Sequence, residues 1–444
     1  MELELAQEQE QTRRASWPDA PQEVLGLVVG RLPTLADRFR FGAVCRPWHA
    51  AERQLPRPRQ LPWLALSLPS SPAAVRAAFY SLSDKATYQL PFPAGGGVCA
   101  CFCGSADDWL VVAHRERGNF LLNPFTGATL PLPHQRTITR SAAFGRHHRL
   151  VEYHPPRSQR EPYIRKAVLS CPPSVDDPGR CVVAATTDSG ELFFCRPGQS
   201  SWRRPRTACF EGINNDYQDI AFCNGRLYGM IKSTIGGDKM GLFDVDEDAD
   251  QLVQSRTEGG SLLKHPEHEA EEEGANHYYY RHPPPSLERR YCVESRGRLL
   301  MVERRCWRYS HGARRTCQFK VFHREPVLLE GLTTPREAWV ALESLDGEVL
   351  FLGCGGSRSF AASELNGFDA DCIYFTDDHY QSKDRNLSYI DSDNEWYDDP
   401  AEKQPCHDIG RYCMRDKSVT FLKDLAPNER RSPPTWLYLS DQRR

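Results

Sequence analysis

Glycine, acidic, histidine and cysteine residues cluster at several points in this 444-residue chain, and each cluster suggests a specific chemistry. "GCGGSRS", Gly353 to Ser359, has the glycine content of a phosphate cradle. Such a loop needs G-x-x-x-x-G-K-[ST], because a lysine must reach the phosphates, and no lysine follows here. The stretch therefore reads as a tight turn between strands, as does "GGG" at Gly95 to Gly97. "DVDEDAD" places Asp244, Asp246, Asp248 and Asp250 at alternate positions, like the opening of a calcium loop. Ala249 and Ser255 then occupy the positions that require Gly and Glu, so the run reads as a solvated acidic turn. In "HPEHEAEEEGANHYYYRHPPP", His265 to Pro285, Glu272 stands where an H-E-x-x-H zinc site needs its second histidine. That run reads as a charged, proline-bounded insertion.

The sixteen cysteines include no C-x-x-C pair, which argues against a structural zinc site. Cys99, Cys101 and Cys103 alternate through an apolar run, the pattern of thiols on one buried strand face. No G-x-S-x-G nucleophile elbow is present, and the scattered Ser, His and Asp residues form no local nucleophile signature. No catalytic residue, metal or cofactor is assigned, and the chain is expected not to be an enzyme. Its chemistry is then recognition, for which aromatic and Arg side chains in turn-like segments are natural anchors: Trp202, Arg203, Arg204, Trp307 and Tyr309. Packing inside the fold is the competing use for each tryptophan.

Hydrophobic residues make up 40% of the chain and charged residues 26%, the balance of a globular protein. The length suits two domains, or a small module followed by a large repeat-built one. A formal net charge of −3 offers no field to draw in nucleic acid or an anionic membrane. No apolar run approaches the roughly 18 to 20 residues needed to cross a bilayer. The N-terminal "MELELAQEQEQTRR" lacks the basic start and apolar centre of an export signal. The chain is expected in the cytoplasm or nucleus, with its thiols reduced.

The elements that would position recognition residues fall into two kinds. Residues 1–15 read as a solvated tail, and residues 16–54 as three short helices. Asp19 or Ala20 suits an N-cap, Pro21 and Glu23 a first turn, and Val24, Leu25, Val28 and Leu32 fall on one face. Thr34 with Asp37 forms a capping box for the second helix. The third carries Val44, Cys45 and Trp48 on one stripe, with Pro47 as its kink or weak point. Helices this short cannot hold a stable core unaided, so they need a partner.

The set Trp17, Pro21, Glu23, Val24, Leu25, Val28, Leu32, Asp37, Arg38, Phe41, Val44, Cys45 and Trp48 resembles an F-box, whose usual form runs W-x-x-L-P-x-D/E-L-L, then R-L-P, then V-C-x-x-W. Ala20 replaces the usual Leu before the proline, and His49 the common Arg after the tryptophan. The resemblance implies docking on a Skp-type adaptor of a cullin complex, through Pro21, Val24, Leu25, Val28, Leu32, Val44 and Trp48, some of which would instead serve the three-helix core.

Past a proline-rich linker at 55–62, short β-branched and aromatic runs alternate with turns. Asp188-Ser189-Gly190, Asn224-Gly225, Arg296-Gly297 and Asp346-Gly347 each sit between two apolar runs, a hairpin signal. Hairpins recurring over residues 63–430 predict a large all-β domain, a β-propeller, with 265–285 as a loop insertion and 431–444 as a tail. "NFLLNPFTGATLPLP", "DIAFCNGRLYGM" and "FLGCGGSRSFAASELNGFDADCIYFTDD" resemble the plant F-box family with a C-terminal KIB-type domain related to Kelch-like propellers. Together these readings imply the substrate-recognition adaptor of a ubiquitin ligase, its propeller offering a surface to an unknown protein target. A non-degradative scaffold and a Kelch-like propeller enzyme are the competing readings, the latter requiring metal ligands converging on a central channel.

Overall fold

The structure is a computed structural model that describes Trp17, residues 20–32, 35–54, 62–66, 76–82, 85–92, 100–114, 118–138, 164–206, 216–232, 238–247, 250–258, 285–308, 314–327, 336–365, 368–378, 408–422 and 434–438. The tail 1–15, Asp19, Thr34, the linker up to residue 61, Gly95 to Gly97, Cys99, the insertion up to residue 284 and Tyr309 lie outside the described residues.

Three helices come first: α1 (Gln22–Arg31), α2 (Leu35–Gly42) and α3 (Arg46–Gln54). Pro21 is the N-cap of α1, extended at φ −56° and ψ 144°, and its carbonyl accepts from Leu25 N at 3.1 Å. Glu23 in the first turn and Arg31 in the last complement the helix dipole. Leu25, Val29, Phe41 and Ala51 make a small core, flanked by Ala20, Val28, Leu32 and Trp48. The third helix differs from expectation. Val44 and Cys45 precede it, and Cys45 O accepts from His49 N at 3.0 Å, so Pro47 falls in the first turn. A proline there removes a donor that no carbonyl would have used, and no kink follows. Among the described residues no helix is long and apolar enough to cross a membrane.

From Trp63 onward the described chain is almost entirely β-structure, arranged in six sheets of three to five strands. Asn224-Gly225 and Arg296-Gly297 both carry positive φ at each residue, the type I′ geometry that matches strand twist, and each joins two paired strands. Gly190, at φ +75°, turns Val183–Thr187 back onto Leu192–Cys195. Asp346-Gly347 does not close a hairpin. It links Arg336–Leu342 in the fifth sheet to Glu348–Leu352 in the sixth, because the second strand pairs instead with Arg358–Ala361 and, in parallel, with Cys372–Phe375.

The buried side chains show how the sheets are arranged. Six apolar clusters each draw residues from two neighbouring sheets, including one between the sixth and the first. An open row of six sheets would have one interface fewer, so the ring is closed, and the domain is a six-bladed β-propeller. Thr435–Leu437, Ala100–Ala106, Ile164–Leu169, Asp216–Cys223, Ser286–Ser295 and Arg358–Ala361 form the inner ring, each touching the next from the first sheet through to the sixth.

Closure overturns one boundary. The segment expected as a tail at 431–444 contains Thr435–Leu437, which pairs antiparallel with Trp63–Ala65 and becomes the innermost strand of the first sheet. Trp436 is fully buried and donates its indole N–H to Leu352 O at 2.9 Å. The glycines of "GCGGSRS" serve this seam: Gly356 N bonds Gly353 O at 3.2 Å in a tight turn, and a Cβ on Gly355 would lie 2.5 Å from Thr435 Oγ1.

Candidate docking surfaces

On the helical unit, apolar side chains outnumber the places in its core. Trp17, Val24, Leu27 and Val44 are 64%, 41%, 67% and 59% exposed. Val24 and Leu27, three apart, stand one turn from each other on α1. Trp48 gathers the aromatic residues of the unit: its indole N–H donates to Trp17 O at 3.1 Å, its ring stacks on Phe41 with centroids 4.3 Å apart, and Trp17 meets it edge-on at 6.2 Å. Gln22 Nε2 bonds Pro47 O at 3.2 Å and pins α1 to α3.

The predicted adaptor-binding residues therefore divide. Pro21, Val24 and Val44 are exposed, Val28, Leu32 and Trp48 are partly buried, and Leu25 is fully buried. Leu25 cannot meet a partner, because it fills the centre of the three-helix core with Val29, Phe41 and Ala51. Leu27 lies outside that predicted set, although α1 carries apolar residues at 24, 25, 27, 28 and 29. That spread is wider than one core-facing stripe, and the excess marks a second apolar face.

The predicted target anchors on the propeller fare differently. Trp202 is 4% exposed, packed between the second and third sheets, with its indole N–H on Pro133 O at 2.9 Å and its backbone N–H on Thr137 Oγ1 at 3.1 Å. It is a core residue, since its apolar area is wanted by the seam between those sheets. Arg203 pairs with Asp250 Oδ2 at 2.5 Å and lies 5.1 Å over the Phe194 ring. Arg204 bonds Glu191 Oε1 at 2.7 Å and lies 4.7 Å over Phe193. Both arginines brace the third sheet. Trp307, 38% exposed near the end of Arg298–Arg308, faces solvent, as does the Arg204 side chain at 39%. Phe125 and Val175 are exposed as well; Phe125 falls within the family-like run "NFLLNPFTGATLPLP".

The acidic turn is not simply solvated. Asp250 also receives Arg196 Nε at 2.7 Å and Gln199 Nε2 at 2.8 Å. Desolvation pushes its carboxyl up, but Arg203 and Arg196 outweigh that and hold it below the usual carboxylate range.

Inside the ring the charges are paired across sheets. Lys166 Nζ meets Asp219 Oδ1 at 2.6 Å, and Asp219 Oδ2 accepts Cys292 N at 2.7 Å, so three sheets share one carboxylate. Arg304 is fully buried, donating to Thr316 Oγ1 at 2.7 Å, Thr376 O at 2.8 Å and Asp408 Oδ2 at 3.0 Å. Asp378 accepts Tyr291 OH at 2.6 Å and lies 3.7 Å from Arg289 and 3.8 Å from Arg304. Burial raises its carboxyl, yet the two guanidiniums and the hydrogen bonds from Tyr291 and Thr376 draw it below its ordinary value. Such pairs fix the angle between sheets, which holds the surface loops in place. Among the described residues no group of three or more His, Cys, Asp or Glu is placed to hold a metal ion.

A family model described as KIB1-4 beta-propeller matches residues 79–412. No curated protein matches the chain. Solved structures with a similar arrangement include the Cps50 (Swd1) beta-propeller domain of Myceliophteria thermophila, at 8% identity and TM-score 0.29, covering 65% of this chain and 76% of that one. A protein from Lactobacillus plantarum matches at 10% identity and TM-score 0.29, covering 63% and 81%. Saccharomyces cerevisiae Sqt1 matches at 12% identity and TM-score 0.27, covering 56% and 64%.

Proposed function

The chain belongs to the KIB1-4 beta-propeller family, and from that membership we propose that it is a two-part adaptor. The helical unit docks as an F-box on a Skp-type subunit of a cullin-RING ubiquitin ligase, and the propeller holds a protein target. The chain then performs no bond chemistry itself. It raises the effective concentration of target lysines beside a ubiquitin-charged enzyme, a positioning role carried out in the cytoplasm or nucleus of a plant cell.

The observation that carries this reading is the division of α1. Leu25 and Val29 are consumed by the helical core, while Val24 and Leu27 on the same ten-residue helix remain exposed, as does Trp17. A unit this small gains from covering such a face, and apolar anchors of this type dominate interface energetics. The F-box pattern from Trp17 to Trp48 supplies the identity of the partner.

Co-purification of the full chain with a Skp-type adaptor tests it. Val24→Asp with Leu27→Asp should keep the thermal unfolding of the parent and abolish capture, since burying two unpaired carboxylates costs several kcal/mol. Leu25→Asp should lose capture together with helical circular dichroism, because its site is internal. Full capture by the folded double variant would overturn the docking surface. Ubiquitination of co-purified partners, with and without residues 16–54, separates a degradative adaptor from a scaffold.

A further inference from the structure

Strands Ile164–Leu169 and Val183–Thr187 pair antiparallel, with Leu169 opposite Val183. Past that last pair Ser170 N donates to Val182 O at 2.9 Å and Val182 N turns to Ser170 Oγ at 2.9 Å, so the regular ladder ends there. The two chains stay side by side as far as Cys171 and Cys181. Cys181 Sγ donates to Cys171 O at 3.2 Å, which sets that thiol against the Cys171 residue. Ser170 Oγ donates to Cys171 Sγ at 3.9 Å. Cys171 is half-buried and so open to small reagents, while Cys181 is buried behind it.

We propose that Cys171 and Cys181 form a peroxide-reactive dithiol that closes into a disulfide, a modification site at the rim of the third sheet. Cys171 attacks as the thiolate: its sulfur forms a bond to one oxygen of hydrogen peroxide, the O–O bond breaks, and the departing hydroxide takes a proton to become water. The product is a sulfenic acid. Cys181 then attacks the Cys171 sulfur, the S–S bond forms, the S–O bond breaks, and the hydroxide leaves as water with the Cys181 proton. Two thiols lose two electrons in all, and one peroxide becomes two waters.

The surroundings divide the labour between the thiols. A hydrogen bond from the Cys181 thiol, opposed by burial and reinforced by Ser170 and the charges of Arg180 and Arg196, draws Cys171 down to about 6. The same bond and burial push Cys181 up, which suits the resolving partner. Arg196 also ties the connecting loop down, donating to Gly179 O at 2.6 Å and Arg180 O at 3.2 Å, so the cationic rim is fixed in place.

A second cysteine pair serves as the internal comparison. Cys372 and Cys413 are also cross-strand partners, in the sixth sheet, and burial pushes Cys372 up to about 11, as it pushes up Cys181. Proximity alone does not make a thiol reactive; the thiolate must be available.

The test treats the full chain with one equivalent of hydrogen peroxide at pH 7, alkylates the remaining thiols under denaturing conditions, and maps the peptides by mass spectrometry. The expected product is a Cys171–Cys181 linkage lacking two hydrogens, with Cys372 and Cys413 alkylated. In Cys181→Ser, Cys171 should stop at the sulfenic acid and be captured by a dimedone probe. The rate of linkage should rise through pH 6 and level off by pH 8, where an ordinary thiol would still be accelerating. Alkylated Cys171 and Cys181 in a sample where other cysteines are oxidised, or an equal yield of the Cys372–Cys413 linkage, would overturn the proposal.

Discussion

Lys166 Nζ and Asp219 Oδ1 stand 2.6 Å apart with each side chain only 1% exposed, an ion pair that joins the third sheet to the fourth inside the propeller. Neither charge can reach water, so each depends on the other. Asp219→Ala should destabilise the protein by about 3–5 kcal/mol, the cost of stranding a buried charge. Lys166→Met combined with Asp219→Ala should cost less than the two single changes added together, because no unpaired ion remains. Chemical denaturation midpoints of the four proteins close the cycle, and strict additivity would show that the pair is not coupled.

Asp378 makes stability depend on acid. Its folded carboxyl lies below its ordinary value, held there against burial by Arg289 and Arg304. A depressed carboxyl stabilises the fold fully above the unfolded value of about 4 and loses that contribution as pH falls through the lower folded value. Asp371, held down by Ser344, the Leu345 N–H and Arg415 despite desolvation, acts in the same direction. The thermal midpoint should therefore fall steeply below about pH 4. In Asp378→Asn the midpoint should be lower at neutral pH and the acid slope shallower.

The closing strand should govern the integrity of the ring. Trp436 has no exposed surface, packs edge-on against Phe351 at 5.2 Å, and reaches Leu352 O with its indole N–H. Trp436→Ala should cost about 3–5 kcal/mol, and ending the chain at residue 433 should expose the edge of Trp63–Ala65 and promote aggregation. Limited proteolysis and light scattering would report both effects.

Legibility in the sequence followed the range of the interactions. Asn224-Gly225 and Arg296-Gly297 are local signals, and both form the hairpin turns their residue types call for. Asp346-Gly347 has the same dipeptide chemistry but joins two sheets, since the partner of Glu348–Leu352 is decided by packing across the sixth sheet. The pairing of Thr435–Leu437 with Trp63–Ala65 has no local signature, so from sequence alone the strand is indistinguishable from a tail. On α1 the periodicity located the apolar residues, but only the three-helix packing shows that Leu25 lies inside and Leu27 outside. Trp202 and Trp307 look alike in sequence. Their surroundings differ: Trp202 is enclosed between the second and third sheets, whereas Trp307 stands near the end of a long strand of the fifth sheet.

That difference gives the last prediction. Trp307 lies near the end of Arg298–Arg308, an eleven-residue strand paired with the fourteen-residue Arg314–Val327, where most other strands are half as long. In the ladder Trp307 stands opposite Arg315, whose guanidinium is occupied 4.1 Å above the Phe421 ring. An indole so placed has apolar area to offer a partner and little to lose from the fold. Trp307→Ala should leave the thermal midpoint within a degree or two of the parent and weaken binding to a crosslinked target at least tenfold, about 1.4 kcal/mol or more. Trp202→Ala should do the reverse, losing about 3–5 kcal/mol of stability as its site between the second and third sheets empties. Calorimetry on both variants, with target binding measured only where the propeller is folded, separates the roles. A Trp307→Ala protein that unfolds as early as Trp202→Ala would place that side chain in the core and remove it from the target surface.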